Sequence, residues 1–273
     1  MSDLQISQSV RAGVRLLAAA ACLLPVMAYA GDINVTQTPQ QAAGSRAGAA
    51  NAQLQLSSEE LGDVHMAGKR YEAALGAYRR APRSAKIWNK IGIAEQQLNL
   101  LDEAKESYGV SLKLDASNAD TLNNLGTIYY AEKNYKAAAK MYRKSLKLNP
   151  RGALVYKNLG TNLMAQNQFQ KGWECYVTAL AIDPQIFEKS SFLKIDEPAS
   201  LETRGAMNYY LARSYVMIGQ NDLAVVYLRR AIDTGFTDRK KLMEDQAFNS
   251  LHGVTSFQVL IGAQAFVQPP QQQ

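Results

Sequence analysis

The pair Leu125-Gly126 stands thirty-four residues after Ile91-Gly92 and thirty-four before Leu159-Gly160. A period of that length constrains the chain more than any other feature, because it demands one supersecondary unit copied and stacked. The second half of each unit keeps the step. Ala104, Ala138 and Gly172 are in register, as are Tyr108, Tyr142 and Tyr176, then Ser111, Ser145 and Ala179, then Leu112, Leu146 and Leu180. Leu61-Gly62 and, after an interruption, Leu211-Ala212 carry the pattern outward. Within residues 118–150 two helix-length runs flank a polar turn at 131–134. Small residues at the eighth, twentieth and twenty-seventh places let two antiparallel helices approach closely. Large residues at the fourth, seventh, eleventh, seventeenth and twenty-fourth fill the space between them and against the next pair. One such hairpin leaves too much apolar surface uncovered to stand alone, so the units must stack.

This pattern resembles the tetratricopeptide repeat. In 85–118 the matching residues are Trp88, Ile91, Gly92, Ala104 and Tyr108, with Ala116 where the family usually has proline. In 119–152 they are Leu122, Leu125, Gly126, Tyr129, Tyr135, Ala138, Tyr142 and Pro150, and in 153–186 Tyr156, Leu159, Gly160, Leu163, Phe169, Gly172, Tyr176, Ala179 and Pro184. Units 55–84 and 205–238 are degenerate, the first with its second helix cut short at Pro82. The resemblance implies an all-α fold, a right-handed superhelical solenoid of antiparallel helix pairs. Residues 187–204 interrupt the register around Pro198, as a long loop or a helix extension with a strand-like excursion at 191–195. Leu242, Met243, Phe248, Leu251, Phe257, Leu260 and Ile261 fall at helical spacings, which suits a terminal cap over 239–263.

The ends read differently. Arg11 and Arg15 precede an apolar run at 16–27 that closes on Ala28-Tyr29-Ala30, the marks of a secretory signal cleaved after Ala30. The run is shorter than the roughly twenty residues a membrane span needs, so no stable membrane span is expected after cleavage. A lipoprotein attached through Cys22 is the weaker reading, since the apolar run continues past it. The expectation is an exported protein, periplasmic or extracellular. Residues 31–54 are small and polar and read as a flexible leader, and the tail 264–273 as disordered. Removal of the signal leaves Cys175 as the only cysteine, so packing alone must hold the fold.

Reaction chemistry finds little support. His65 and His252 lie at opposite ends of the repeats without a second ligand near either, so no metal is expected. The glycines are used at helix contacts and turns, not in a phosphate loop. No serine sits in a nucleophile elbow. The chain reads as no enzyme and as needing no cofactor. Its net charge of +6 comes from Lys and Arg interleaved with Asp and Glu along most of its length. That arrangement reads as solvated helix faces, with no nucleic-acid partner.

By the family's geometry, places two, five, six, nine, twelve and thirteen of each first helix line a concave groove. The resemblance therefore puts Lys86, Asn89, Lys90, Asn123, Asn124, Thr127, Tyr130, Lys157, Asn158, Thr161, Tyr210 and Arg213 on the binding surface. Asn124 and Asn158 share the sixth place, where an amide can pair with the backbone of an extended peptide. The full lysine and asparagine set of the family's carboxylate clamp is absent in any register. The expected function is a scaffold that binds another protein or an extended peptide segment, in cell-envelope assembly. The alternatives are a self-associating structural solenoid and a glycan-binding accessory module that stacks sugars on groove tyrosines.

Overall fold

The structure, a computed structural model, describes residues 56–188, 201–236 and 239–265. The expected signal and leader up to residue 55, the expected excursion at 191–195, and the expected tail beyond 265 lie outside the described residues. Among the described residues all regular structure is helical, with no strand.

Five antiparallel pairs follow one another. They are α1 (Ser58–Ala67) with α2 (Tyr71–Tyr78), α3 (Ala85–Gln97) with α4 (Leu101–Leu114), and α5 (Ala119–Ala131) with α6 (Tyr135–Leu148). Then come α7 (Ala153–Met164) with α8 (Phe169–Ile182) and α9 (Leu201–Met217) with α10 (Asn221–Asp233). The polar residues before the helices start them. The Ser57 hydroxyl accepts the Glu60 N–H while Glu60 returns the bond, a capping box. Ser84, Asn118 and Asn134 cap α3, α5 and α6 by accepting the backbone N–H of Ile87, Thr121 and Ala137, with no bond returned.

Every pair turns at one place. Lys69, Asn99, Lys133, Asn167 and Gly219 hold the fifteenth position of their units, and all have positive φ, from 56° to 78°. The next N–H in each case reaches back to the eleventh residue's carbonyl, as Leu100 to Glu95 at 2.9 Å and Asn134 to Tyr129 at 2.8 Å. This is the Schellman closure that satisfies the last carbonyls of a helix. It reverses the chain at the same place in every unit.

The eighth and twenty-fourth places hold the pairs together. A Cβ at Gly62, Gly92, Gly126 or Gly160 would lie 2.3–2.6 Å from the ring of Tyr78, Tyr108, Tyr142 or Tyr176, sixteen residues on. The tyrosine rings are at most 4 % exposed and fill the space the missing methyl leaves. The fifth pair solves the same problem in the opposite way: Ala212 meets Leu228, both fully buried. One gained methyl is matched by a smaller partner, which keeps the local volume near that of a close-packed interior.

The interruption is shorter than its expected span of 187–204. Helix α9 starts at Leu201, so 201–204 belong to the fifth pair. Phe187 already packs edge-on against Tyr176 at 4.8 Å. After α10 the chain forms α11 (Arg239–Glu244), a 3-10 turn (Gln246–Leu251) and α12 (Thr255–Ala265), two residues beyond the expected end of the cap. Leu242, Phe248, Leu251, Phe257 and Leu260 join the core of α8–α10. They cover the last apolar face, as the end of a stack requires.

Candidate functional site

The first helices touch their neighbours directly, α3 with α5, α5 with α7 and α7 with α9, whereas the second helices approach one another less closely. The first helices therefore line the inner side. On it the sixth place of the second, third and fourth units reaches back to the fifth place of the unit before. Lys90 Nζ donates to Glu59 Oε1 at 2.7 Å, Asn124 Nδ2 to Asn89 Oδ1 at 3.0 Å, and Asn158 Nδ2 to Asn123 Oδ1 at 2.9 Å. Asn123 Nδ2 donates to Asn124 Oδ1 at 3.3 Å and joins two of these links into one run, Asn158–Asn123–Asn124–Asn89. Asn123, Asn124 and Asn158 are no more than 4 % exposed. Buried amides must find partners, and these find one another. The donors of Asn124 and Asn158, expected as hooks for a peptide backbone, are thus engaged in the free chain by the repeat before each.

Both ends of the ladder are charged. Glu59 takes Lys86 as well as Lys90 at 2.7 Å, and Lys90 also reaches Asp63 at 2.7 Å. The lysine hydrogen bonds hold the Glu59 carboxyl below its ordinary value. Burial pulls Lys90 down, but its bonds to Asp63 and Glu59 outweigh that and raise it overall. At the other end Tyr209, in the fifth place, donates its hydroxyl to Asp245, and Arg213 Nε lies 3.2 Å from the same carboxylate. Asp245 also caps the 3-10 turn through the Ala247 N–H at 2.9 Å. Arg213 lies over the Trp173 ring at 4.7 Å, and Tyr210 stacks on Phe169 at 5.7 Å.

Of the remaining expected residues, Thr127 is buried and bonds to the Asn124 carbonyl and to Gln96. Tyr130 is buried against the Tyr135 ring, and burial pushes its hydroxyl up to about 12. Thr161 pairs with the Tyr176 hydroxyl at 2.9 Å. Lys157 is half-buried, with Nζ 3.2 Å from the Ile186 carbonyl and 5.3 Å from the Phe187 ring centre. Burial lowers its ammonium from the ordinary lysine value. Lys86 is the most open of the set, with its side chain 69 % exposed. Glu59, Asp63, Trp173 and Asp245 belong to the same surface and were not among the expected residues. Glu59 was findable as the fifth residue of a unit starting at 55. Asp245 follows Tyr209 by thirty-six residues, close to one period, in a segment read only as a cap.

No group of three or more His, Cys, Asp or Glu side chains that could hold a metal occurs among the described residues. His252 stacks on Phe257, and burial lifts the half-buried Cys175 thiol to about 11, far from a reactive thiolate. No described helix is long and apolar enough to cross a membrane.

Paired helices in one register with a shared inner face define a helical-repeat array. Family models of the tetratricopeptide repeat match residues 85–118, 119–151 and 206–234, the last being a unit read from sequence as degenerate. Residues 85–151 and 206–234 are thus tetratricopeptide repeats. No curated protein matches the chain. Among solved structures, MamA is similar at 21% identity over 66% of this chain and 97% of that one, with a TM-score of 0.44. A second MamA structure gives 20%, 66%, 98% and 0.45. YrrB, described as a TPR protein with an unusual peptide-binding site, gives 17%, 74%, 97% and 0.43.

Proposed function

We propose that this protein is a non-catalytic scaffold that holds an extended segment of another protein along the face built from α3, α5, α7 and α9. The observation that carries the reading is the ladder from the sixth to the fifth place. It holds α1, α3, α5 and α7 in one register before any partner arrives, so less ordering cost falls on binding. The side chains that meet the partner are those on this face that the ladder leaves accessible: Lys86 at one end, Lys157 in the middle, and Tyr210 with Arg213 at the other. Asn89, Lys90, Asn123, Asn124 and Asn158 act beneath them as the support, and Thr127, Tyr130 and Thr161 pack the same wall. Flat amphipathic rings beside a cation suit a protein partner. The setting is the cell envelope, on the strength of Arg11, Arg15, the apolar run at 16–27 and Ala28-Tyr29-Ala30. Mass spectrometry of the exported protein checks that part by finding Gly31 at its N-terminus.

A photo-crosslinking residue placed at Lys86 or Tyr210, with Arg229 on α10 as the comparison, tests the groove. Crosslinks to a protein partner from the first two positions and not from the third are expected. Crosslinks from Arg229 alone would place the partner on the outer side.

A further inference from the structure

The outer face of α6 does not follow the interleaving of charges found in most of the chain. Lys136, Lys140, Arg143, Lys144 and Lys147 lie at spacings of four, three, one and three, which brings them to one face of the helix. All five are exposed, and none takes part in an ion pair. Lys133 before the helix and Arg151 after it are exposed as well. No acidic residue occurs between Glu132 and Glu174, and Glu132 is already engaged by Lys105.

The other units show that the fold does not ask for this. Even in the first, where the same places hold Glu72, Gly76, Arg79, Arg80 and Arg83, an acid opens the row and Arg79 is paired with Glu95. At the same five places α4 has Asp102, Glu106, Gly109, Val110 and Lys113, and α8 has Gln170, Glu174, Val177, Thr178 and Ala181. On α10 two acids, Asp222 and Asp233, flank Arg229 and Arg230. Like charges three and four residues apart repel and destabilise a helix, and no acid among the described residues forms an ion pair with these five. Five unpaired cations on one exposed helix face are a surface that an acidic segment would complement.

We propose that the outer face of α6 is a docking strip for an acidic segment of a partner protein, on the side opposite the groove. The strip is one helix wide and about 21 Å long, from fourteen residues at 1.5 Å each. An extended segment of about seven residues spans that length. A flat anionic surface fits less well, because a bilayer or duplex broad enough to reach the neighbouring second helices would meet the exposed Asp102 and Glu106 of α4 and Glu174 of α8. An acidic peptide lies between them and is kept in line by them.

Fluorescence anisotropy on the full chain tests the strip, with a labelled peptide of about fifteen alternating Glu and Ser residues as the probe. Affinity is expected to fall steeply between about 50 mM and about 300 mM salt, as for a surface ion interaction. Exchange of the five α6 cations for glutamine should weaken binding at least about tenfold, the ratio a loss of about 1.4 kcal/mol produces. A control that loses the same charge elsewhere, Arg70, Arg80, Arg83, Lys113 and Arg229 all changed to glutamine, should bind as the native chain does. Circular dichroism of both variants confirms that the helices are retained. Equal weakening in both variants would mean that net charge alone attracts the peptide, and overturns the proposal. Tighter binding of a DNA duplex, or of vesicles holding phosphatidylserine, than of the peptide at the same salt overturns it too. Loss of crosslinking at Lys86 and Tyr210 with peptide binding intact would defeat the groove reading and leave this one standing.

Discussion

Gly126 and Tyr142 offer the sharpest test of how the pairs are packed. A methyl on Gly126 would sit 2.6 Å from Tyr142 Cε1, 2.8 Å from Cδ1 and 3.1 Å from Cζ. The ring is fully buried, so it has little room to withdraw. Overpacking of that severity costs about 3 kcal/mol. Alanine in place of a helical glycine returns about 1 kcal/mol of helix propensity. The net expectation for Gly126→Ala is a loss of about 2 kcal/mol. With Tyr142→Leu in the background the clash is gone, and the same exchange should stabilise by about 1 kcal/mol. The Tyr142 hydroxyl is buried without a hydrogen-bond partner, so the leucine background loses ring volume and no hydrogen bond. The coupling between the two sites is then about 3 kcal/mol, the upper end for residues in contact. The fifth pair, with Ala212 and Leu228, is the natural form of this double exchange. Urea unfolding followed by circular dichroism, on the four chains of the cycle, reads the coupling. An equal effect of Gly126→Ala in both backgrounds would refute the packing argument.

Two further outcomes follow from single sites. Lys133 pays the strain of a left-handed backbone at φ 59°, so Lys133→Gly should stabilise by about 0.5–1 kcal/mol, read as a shift in the urea midpoint. Glu59 and Lys90 set a pH dependence. A carboxyl held below its ordinary 4.5 contributes stability above that pH and loses it as the pH falls through the lowered value. A chain with Lys86→Gln and Lys90→Gln should therefore melt below the native one at neutral pH, and the gap should close as the pH drops under 4.5. A gap that is independent of pH would show that Glu59 does not carry it.

Much of this architecture is legible in the sequence because the repeat writes each packing rule several times. Gly92 opposite Tyr108 is one coincidence, but Gly126 with Tyr142 and Gly160 with Tyr176 make it a rule. Family geometry also puts Asn124 and Asn158 on the inner face. What it does not reveal is their hydrogen-bond partners, because Asn124 bonds to Asn89 and Asn158 to Asn123 across thirty-five residues. A position on a face says where a side chain points and not whether a neighbour has already claimed it. Asp245 was missed for a related reason, since the Tyr209 and Arg213 contacts depend on how the cap folds back over α9. The cationic face of α6 stood in plain view between Glu132 and Glu174 and was hidden by averaging charge over the whole chain.

The account rests on the claim that the inner-face asparagines serve the array itself. A double-mutant cycle on Asn89 and Asn124, each changed to alanine, measures this in the purified chain with no partner present. The bond between them at 3.0 Å is predicted to give a coupling of about 1 kcal/mol. Additive losses, with no coupling in the free protein, would contradict it and return Asn124 to the partner.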